Sequence, residues 1–283
     1  MQKVSADWKV SKTAAMRIGK QQTEAVILMT ACVNPDGMHC TKLQDCRTRK
    51  KQYLEALEFY LNETPFKVVF CENSGAELYD EINSAEKYRR LEYLTFYGND
   101  YDKSYGKGYG EARIIDYAIR NSQFISDVDW VIKITGRIKC LNINKKPFAK
   151  PQKVLNANRI WIDLCYPEWL NSVCFMAPKE WLLHTIERYG HRLDDIAFNF
   201  ERMMYWSIVE TPEMKVLPAL PVLDGICGGS CLRYENERRL LRKLDHYSTL
   251  YYVHLSRGEK INYVWGFLAK CYMVIRMKMS DKR

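Results

Sequence analysis

Four groups of polar residues stand directly behind apolar runs, where side chains can meet a ligand. They are Thr30-Ala31-Cys32 with Asn34, Glu72-Asn73, Asn99-Asp100-Tyr101-Asp102, and Thr135-Gly136-Arg137. The last poses the clearest chemical demand. A guanidinium at the mouth of a buried strand costs desolvation unless an anion comes to it, and arginine grips a phosphate bidentately with no metal between them. Thr135 adds a hydroxyl, and Gly136 allows the backbone to approach a ligand closely. Turn residues commonly end strands, which accounts for the asparagines and glycines but not for Arg137.

A second anion site is suggested by "GKGYGE", where Gly106, Gly108 and Gly110 surround Lys107 and precede Glu111. A glycine loop feeding a helix N-terminus offers free backbone N–H groups and a favourable dipole. Its spacing is neither the dinucleotide fingerprint nor a Walker loop, and a turn packed by Tyr105 and Tyr109 explains it equally well. Asp100 and Asp102 form a D-x-D pair that would hold Mn or Mg. Cys227 and Cys231 are four apart and His39 adjoins Cys40, but neither has a second pair at zinc spacing. His184 and His191 lack a local nucleophile partner, and no G-x-S-x-G elbow occurs.

The elements that would position these residues alternate along the front half. Residues 24–33, 66–75, 91–100 and 129–140 read as strands. Residues 47–63 and 110–125 read as helices, with Tyr53, Leu54, Leu57 and Leu61, then Ile114, Ile115, Ala118 and Ile119, at helical spacing. Continuous apolar strands between helices imply a mostly parallel, Rossmann-like α/β sheet covered on both faces. In such sheets ligands bind beyond the carboxyl ends of the strands, where the polar groups gather.

The chain of 283 residues, 47% apolar, can bury a full core. No apolar run reaches the roughly 18 residues of a spanning helix, and no signal peptide precedes the first strand, so a cytosolic chain is expected. Several of the ten cysteines (Cys32, Cys71, Cys140, Cys165, Cys174) lie in apolar runs, where free thiols pack as small hydrophobes. The net charge of +9 calls for an anionic partner: nucleic acid, a phosphorylated substrate or a membrane surface. Its distribution favours the membrane. Residues 257–283 interleave Arg257, Lys260, Lys270, Arg276, Lys278, Lys282 and Arg283 with Trp265, Phe267, Leu268 and other apolar groups, the composition of an interfacial helix. The competing reading is a C-terminal helix docked on the protein's own core.

In order, "VILMTACV", "VVFCENSG", "GKGYGE" and "VIKITGR" resemble bacterial glycosyltransferases of capsular-polysaccharide and O-antigen loci that carry a K-I-T-G-R type motif. The likeness is clearest over about 25–142 and extends more weakly to "PVLDGICGGSCLRY" at 221–234. It implies a single GT-A-like domain at 25–256, with a donor half to about 142 and an acceptor half beyond. A 1–24 segment would precede it, and the 257–283 tail would associate with the inner face of the cytoplasmic membrane. It also implies hexosyl transfer from a nucleotide-sugar donor, UDP-linked, to an undecaprenyl-diphosphate-linked or other saccharide. Thr30, Ala31, Cys32, Asn34, Glu72, Asn73, Lys107, Gly108, Glu111, Thr135, Gly136 and Arg137 would bind the donor. Where most GT-A enzymes place Asp-x-Asp, this chain has Thr135-Gly136-Arg137, so transfer without a metal is expected. The metal alternative is Asp100 with Asp102.

Transfer with inversion needs a general base. The candidates among the second-half carboxylates are Asp194, Asp195, Glu201 and Asp224, and Asp195, which resembles the acid of acid-acid-aliphatic motifs, is favoured over Glu201. Asp194 would cap a helix starting near Asp195. Among Trp161, Trp169, Trp181 and Trp206, some would stack on the acceptor while most fill the core. Two other classes stay open. A sugar nucleotidyltransferase would place its phosphate loop directly after the first strand, where 34–50 holds one glycine. A non-catalytic basic module would leave Thr135 to Arg137 unexplained.

Overall fold

Strand β1 (Ala25–Ala31) is buried at every position because both of its faces are covered. Val26 and Leu28 enter one core, and Ala25, Ile27 and Met29 enter another. Its near-continuous apolarity thus reflects a central place in a sheet between two helical layers. The computed structural model describes residues 25–38, 41–78, 89–145, 147–148, 158–234, 236 and 239–280. The expected 1–24 segment, the His39-Cys40 pair and the charges of 281–283 lie outside them.

After β1 come α1 (Cys46–Glu63), β2 (Val68–Glu72), β3 (Leu91–Thr95), α2 (Gly106–Asn121), α3 (Gln123–Ser126), β4 (Trp130–Thr135) and β5 (Lys139–Cys140). The second half holds β6 (Arg159–Tyr166), β7 (Trp169–Pro178), α4 (Lys179–Tyr189), α5 (Phe200–Glu210), β8 (Lys215–Pro218) and β9 (Leu223–Asp224). Two helices, α6 (Arg239–Ser256) and α7 (Tyr263–Ser280), close the described chain. Helix α1 lays Tyr53, Ala56, Leu57, Tyr60 and Leu61 on one sheet face. Residues of α2, α4 and α5 cover the other.

The main sheet has seven strands in the order β3-β2-β1-β4-β7-β6-β8, and β5 pairs with β9 in a separate ribbon. Within the main sheet β7 is antiparallel to β4 and to β6 while the other pairings are parallel, and the β5–β9 ribbon is antiparallel. The fold is therefore α/β with a mostly parallel sheet, as the patterning predicts. The reversal of β7 matters for the site, because it brings the start of β7 to the edge where β1 and β4 end.

The C-terminal tail is a helical pair. Helix α6 is tied to the sheet by an ion pair between Arg242 and buried Asp163. Helix α7 is tied to α6 at Asp245, which accepts from Tyr272 Oη at 2.8 Å and from Arg276 Nε at 2.9 Å. Ala269 and Met273 fill the seam, and Gly266 leaves room for the Tyr251 ring. Among the described residues no helix is long and apolar enough to cross a membrane. The described cysteines are free.

Candidate active site

A cleft of about 450 Å³ opens at the sheet edge where β1 and β4 end and β7 begins, within the usual range for small-ligand sites. Thr30 and Ala31 of β1 with Cys32 behind them, Asn73 after β2, Lys107 and Glu111 from α2, Thr135 at the end of β4 and Arg137 behind it line the cleft. Trp169 and Ser172 of β7, Glu201 of α5, and Cys227 to Gly229 complete the wall.

Arg137 is 7% exposed. Its Nη1 donates to Gln52 Oε1 at 2.8 Å and to the Ile226 carbonyl at 3.3 Å, and its guanidinium carbon lies 5.9 Å from the Tyr53 ring centroid. Its Nε has no partner, and no carboxylate among the described residues pairs with it. Gly228 sits against Nη2, where a β-carbon would collide with that nitrogen. Arg49 also lies 5.9 Å from the Tyr53 ring centroid, and both guanidinium groups approach Gly228. Arg49 holds the β1 end by donating to Cys32 O through Nε (2.9 Å) and Nη2 (2.6 Å), and to Leu43 O at 3.1 Å. Two buried cations thus face one cleft with backbone and neutral groups for partners. Sequence reasoning missed Arg49; its signal was an arginine four residues before Tyr53 on the row that continues through Leu57 and Leu61.

The cleft also holds a connected polar chain. Lys133 is fully buried; it pairs with Glu111 and donates to Thr135 Oγ1 at 3.2 Å and to Ser172 O at 2.7 Å. Thr30 Oγ1 donates to Glu111 at 3.1 Å, and Ser172 Oγ donates to Glu201 Oε1 at 2.7 Å. Burial raises the Glu201 carboxyl above the usual range, against the lowering effect of the Ser172 bond. A partly desolvated carboxylate held by one hydroxyl can accept a proton.

Several expected site residues serve other ends. Helix α2 begins at Gly106, so the glycines are its first turns and not a loop. Asp195 fills the expected anion site: its carboxylate accepts the N–H groups of Lys107 at 2.8 Å and Gly108 at 3.0 Å. A β-carbon on Gly108 would lie 2.8 Å from Asp195 Oδ1, and one on Gly110 would strike the Tyr101 hydroxyl, so close packing explains these glycines. Both Asp195 oxygens are engaged, and Asp195 does not line the cleft. Asp194 closes a turn over Ile196, Ala197 and Phe198, while Asn199 caps α5. Asp224 binds Arg233 at 2.6 Å, away from the cleft.

Glu72 is fully buried and accepts the N–H groups of Val33 (2.8 Å), Ser74 (2.9 Å) and Ala76 (3.0 Å). It organises the loops behind the cleft and does not line it. Asn34 does the same work through its backbone, with N bound to Ser74 Oγ at 3.0 Å and O to Asn99 Nδ2 at 2.9 Å. Gly136 is required by the sheet: its N–H meets Thr30 O at 2.9 Å, and a β-carbon would lie 2.8 Å from that oxygen. Cys32 lines the cleft, and burial pushes its thiol up to about 12, favouring the neutral form.

Neither carboxylate of the D-x-D pair lines the cleft, although Asn99 and Tyr101 do. Asp100 is bound to Arg113 at 2.9 Å, and Asp102 caps the turn at 103–105 through Ser104 N at 2.9 Å. Among the described residues no group of three or more His, Cys, Asp and Glu gathers to hold a cation. Of the tryptophans, Trp161 and Trp181 are core, whereas Trp169 is 44% exposed at the cleft.

No protein-family profile and no curated protein matches the chain. Among solved structures it is similar to a glycosyltransferase involved in glycosylation of the major capsid of PBCV-1, at 11% identity and a TM-score of 0.39, over 69% of this chain and 81% of that one. It is also similar to a putative glucose-1-phosphate thymidylyltransferase from Bacillus anthracis in complex with a sucrose, at 6% identity and a TM-score of 0.46, over 85% and 98%. Likeness at this level adds no argument about the site.

Proposed function

We propose that the chain is a glycosyltransferase that takes a nucleoside-diphosphate sugar, UDP-linked, and passes the hexosyl group to a saccharide acceptor, lipid-linked. The observation that carries this reading is Arg137, a buried guanidinium in the cleft with no carboxylate partner among the described residues. Burying an uncompensated cation is costly, and a diphosphate would offset that cost through Nη2 and Nε. Arg49 adds a second positive charge beside it.

In this reading the acceptor hydroxyl attacks the anomeric carbon while Glu201 takes its proton. The bond from that carbon to the diphosphate oxygen breaks, and the leaving diphosphate keeps the electron pair, its charge held by Arg137. Glu201 replaces Asp195 as the base because Glu201 lines the cleft and Asp195 caps α2. The surface-polysaccharide setting rests on the motif resemblance alone.

Calorimetric titration with UDP, GDP, UTP and GTP, each with and without EDTA, tests the donor class. Preference for a diphosphate that survives the chelator supports the proposal. Preference for a triphosphate would favour sugar nucleotidyl transfer, and no binding by any nucleotide would favour a non-catalytic module.

A further inference from the structure

Helix α7 shows two unlike faces. Gly266, Ala269 and Met273 are buried against α6. Opposite them Val264, Phe267, Leu268, Cys271, Val274 and Ile275 recur at steps of three and four residues and stay exposed, at 64% for Val264 and 58% each for Phe267, Leu268 and Ile275. That is a continuous apolar stripe along one side of an 18-residue helix, more than scattered surface residues need explaining. The tail's composition favours a membrane over the core; the packing gives one face of α7 to α6 and leaves the other exposed.

Charge decides which partner. Helix α7 contains no acidic residue. Lys270 flanks the stripe and Lys278 continues it, both exposed, and neither has an ion-pair partner among the described residues. Arg276 is already bound to Asp245, and Glu259, the acid nearest the helix start, is bound to His254 and Arg257. A second copy of this face would bring lysines against lysines. An anionic lipid surface meets both needs, taking the apolar side chains at the acyl boundary and the lysines among headgroups. On its α6-facing side, α7 reaches the β6–β7 hairpin: Arg276 lies 6.0 Å from the Tyr166 ring, and Tyr166 pairs with Trp169, which lines the cleft.

We propose that the Val264–Ile275 stripe of α7, with Lys270 and Lys278, docks the protein on an anionic lipid surface. The docking does not depend on the transfer reading.

The test is co-sedimentation of the full chain with vesicles of phosphatidylcholine alone or mixed with phosphatidylglycerol. Binding to the mixed vesicles that weakens as salt rises is expected. Lys270→Ala with Lys278→Ala should weaken it roughly thirtyfold, and Phe267→Glu with Leu268→Glu should abolish it while the melting temperature and circular dichroism stay at the parent values. Equal binding by parent and Phe267→Glu/Leu268→Glu, or no binding of the parent to either vesicle, would overturn the proposal. So would a dimer in light scattering that the glutamate variant dissociates, since the stripe would then belong to a second copy. If the glutamate variant fails to fold, the lysine pair decides: unchanged binding in that variant overturns the charge assignment.

Discussion

The carboxylate of Asp195 sits on the first turn of α2, taking the Gly108 N–H at 3.0 Å and that of Lys107 at 2.8 Å. The helix end that a sequence reader would offer to a phosphate is occupied by the protein's own anion. Removing it should therefore cost stability more than catalysis. Asp195→Ala is expected to lower unfolding stability by about 0.5–2 kcal/mol, the range for losing a helix cap, as measured by urea denaturation. A loss of turnover at full stability would return the base role to Asp195.

Arg137→Ala should weaken nucleoside-diphosphate binding by roughly ten- to a hundredfold, equivalent to about 1.5–3 kcal/mol for a hydrogen bond to a charged group. Titration calorimetry in EDTA measures it directly. Unchanged affinity would make Arg137 a strut for Gln52 and Ile226 and nothing more.

Two glycines separate packing from binding. A β-carbon on Gly136 would meet the rigid Thr30 carbonyl at 2.8 Å, whereas one on Gly228 would meet only the tip of the Arg137 side chain. Gly136→Ala is expected to destabilise by roughly 1–3 kcal/mol, as overpacking does. Gly228→Ala should leave the melting temperature near the parent value but reduce diphosphate affinity, because Arg137 must move.

Glu201→Gln should cut transfer by about 100- to 10,000-fold with donor affinity nearly intact. The same change has a stability signature. Burial raises the Glu201 carboxyl, so the fold favours its protonated form; that contribution is present at low pH and is lost as pH rises through the raised value. The glutamine variant, which cannot ionise, should thus melt higher than the parent at about pH 8 and show no gain at about pH 4. A lower melting temperature at the higher pH would contradict the burial assignment.

His246 is fully buried on α6, and burial lowers its imidazole to about 4. Its neutral form is favoured by the fold, so this contribution is complete above the unfolded value of about 6.5 and wanes as pH falls toward about 4. His246→Gln should flatten the acid limb of a melting-temperature profile between those limits. An unchanged limb would place the acid sensitivity elsewhere.

The four front-half strands β1 to β4 and their parallel pairing were legible because burial on both faces forces continuous apolarity, as in Ala25–Ala31 and Trp130–Thr135, whereas the second-half strands and the reversal of β7 were not. That Arg137 would stand at the cleft was legible too, since a cation behind such a strand demands an explanation. Sequence could not decide which carboxylate reaches the cleft. Asp195 and Glu201 are six residues apart, yet one turns to the start of α2 and the other to Ser172 on β7. That choice rests on α5 crossing the reversed strand β7, a contact between segments far apart in the chain. Arg49 and Gly228 were hidden for the same reason: their partners, Cys32 O and the Arg137 guanidinium, are brought beside them only when the sheet edge closes. Local pattern reports which residues must be buried, whereas the direction in which a polar side chain points is set by whichever distant donor folding delivers to it.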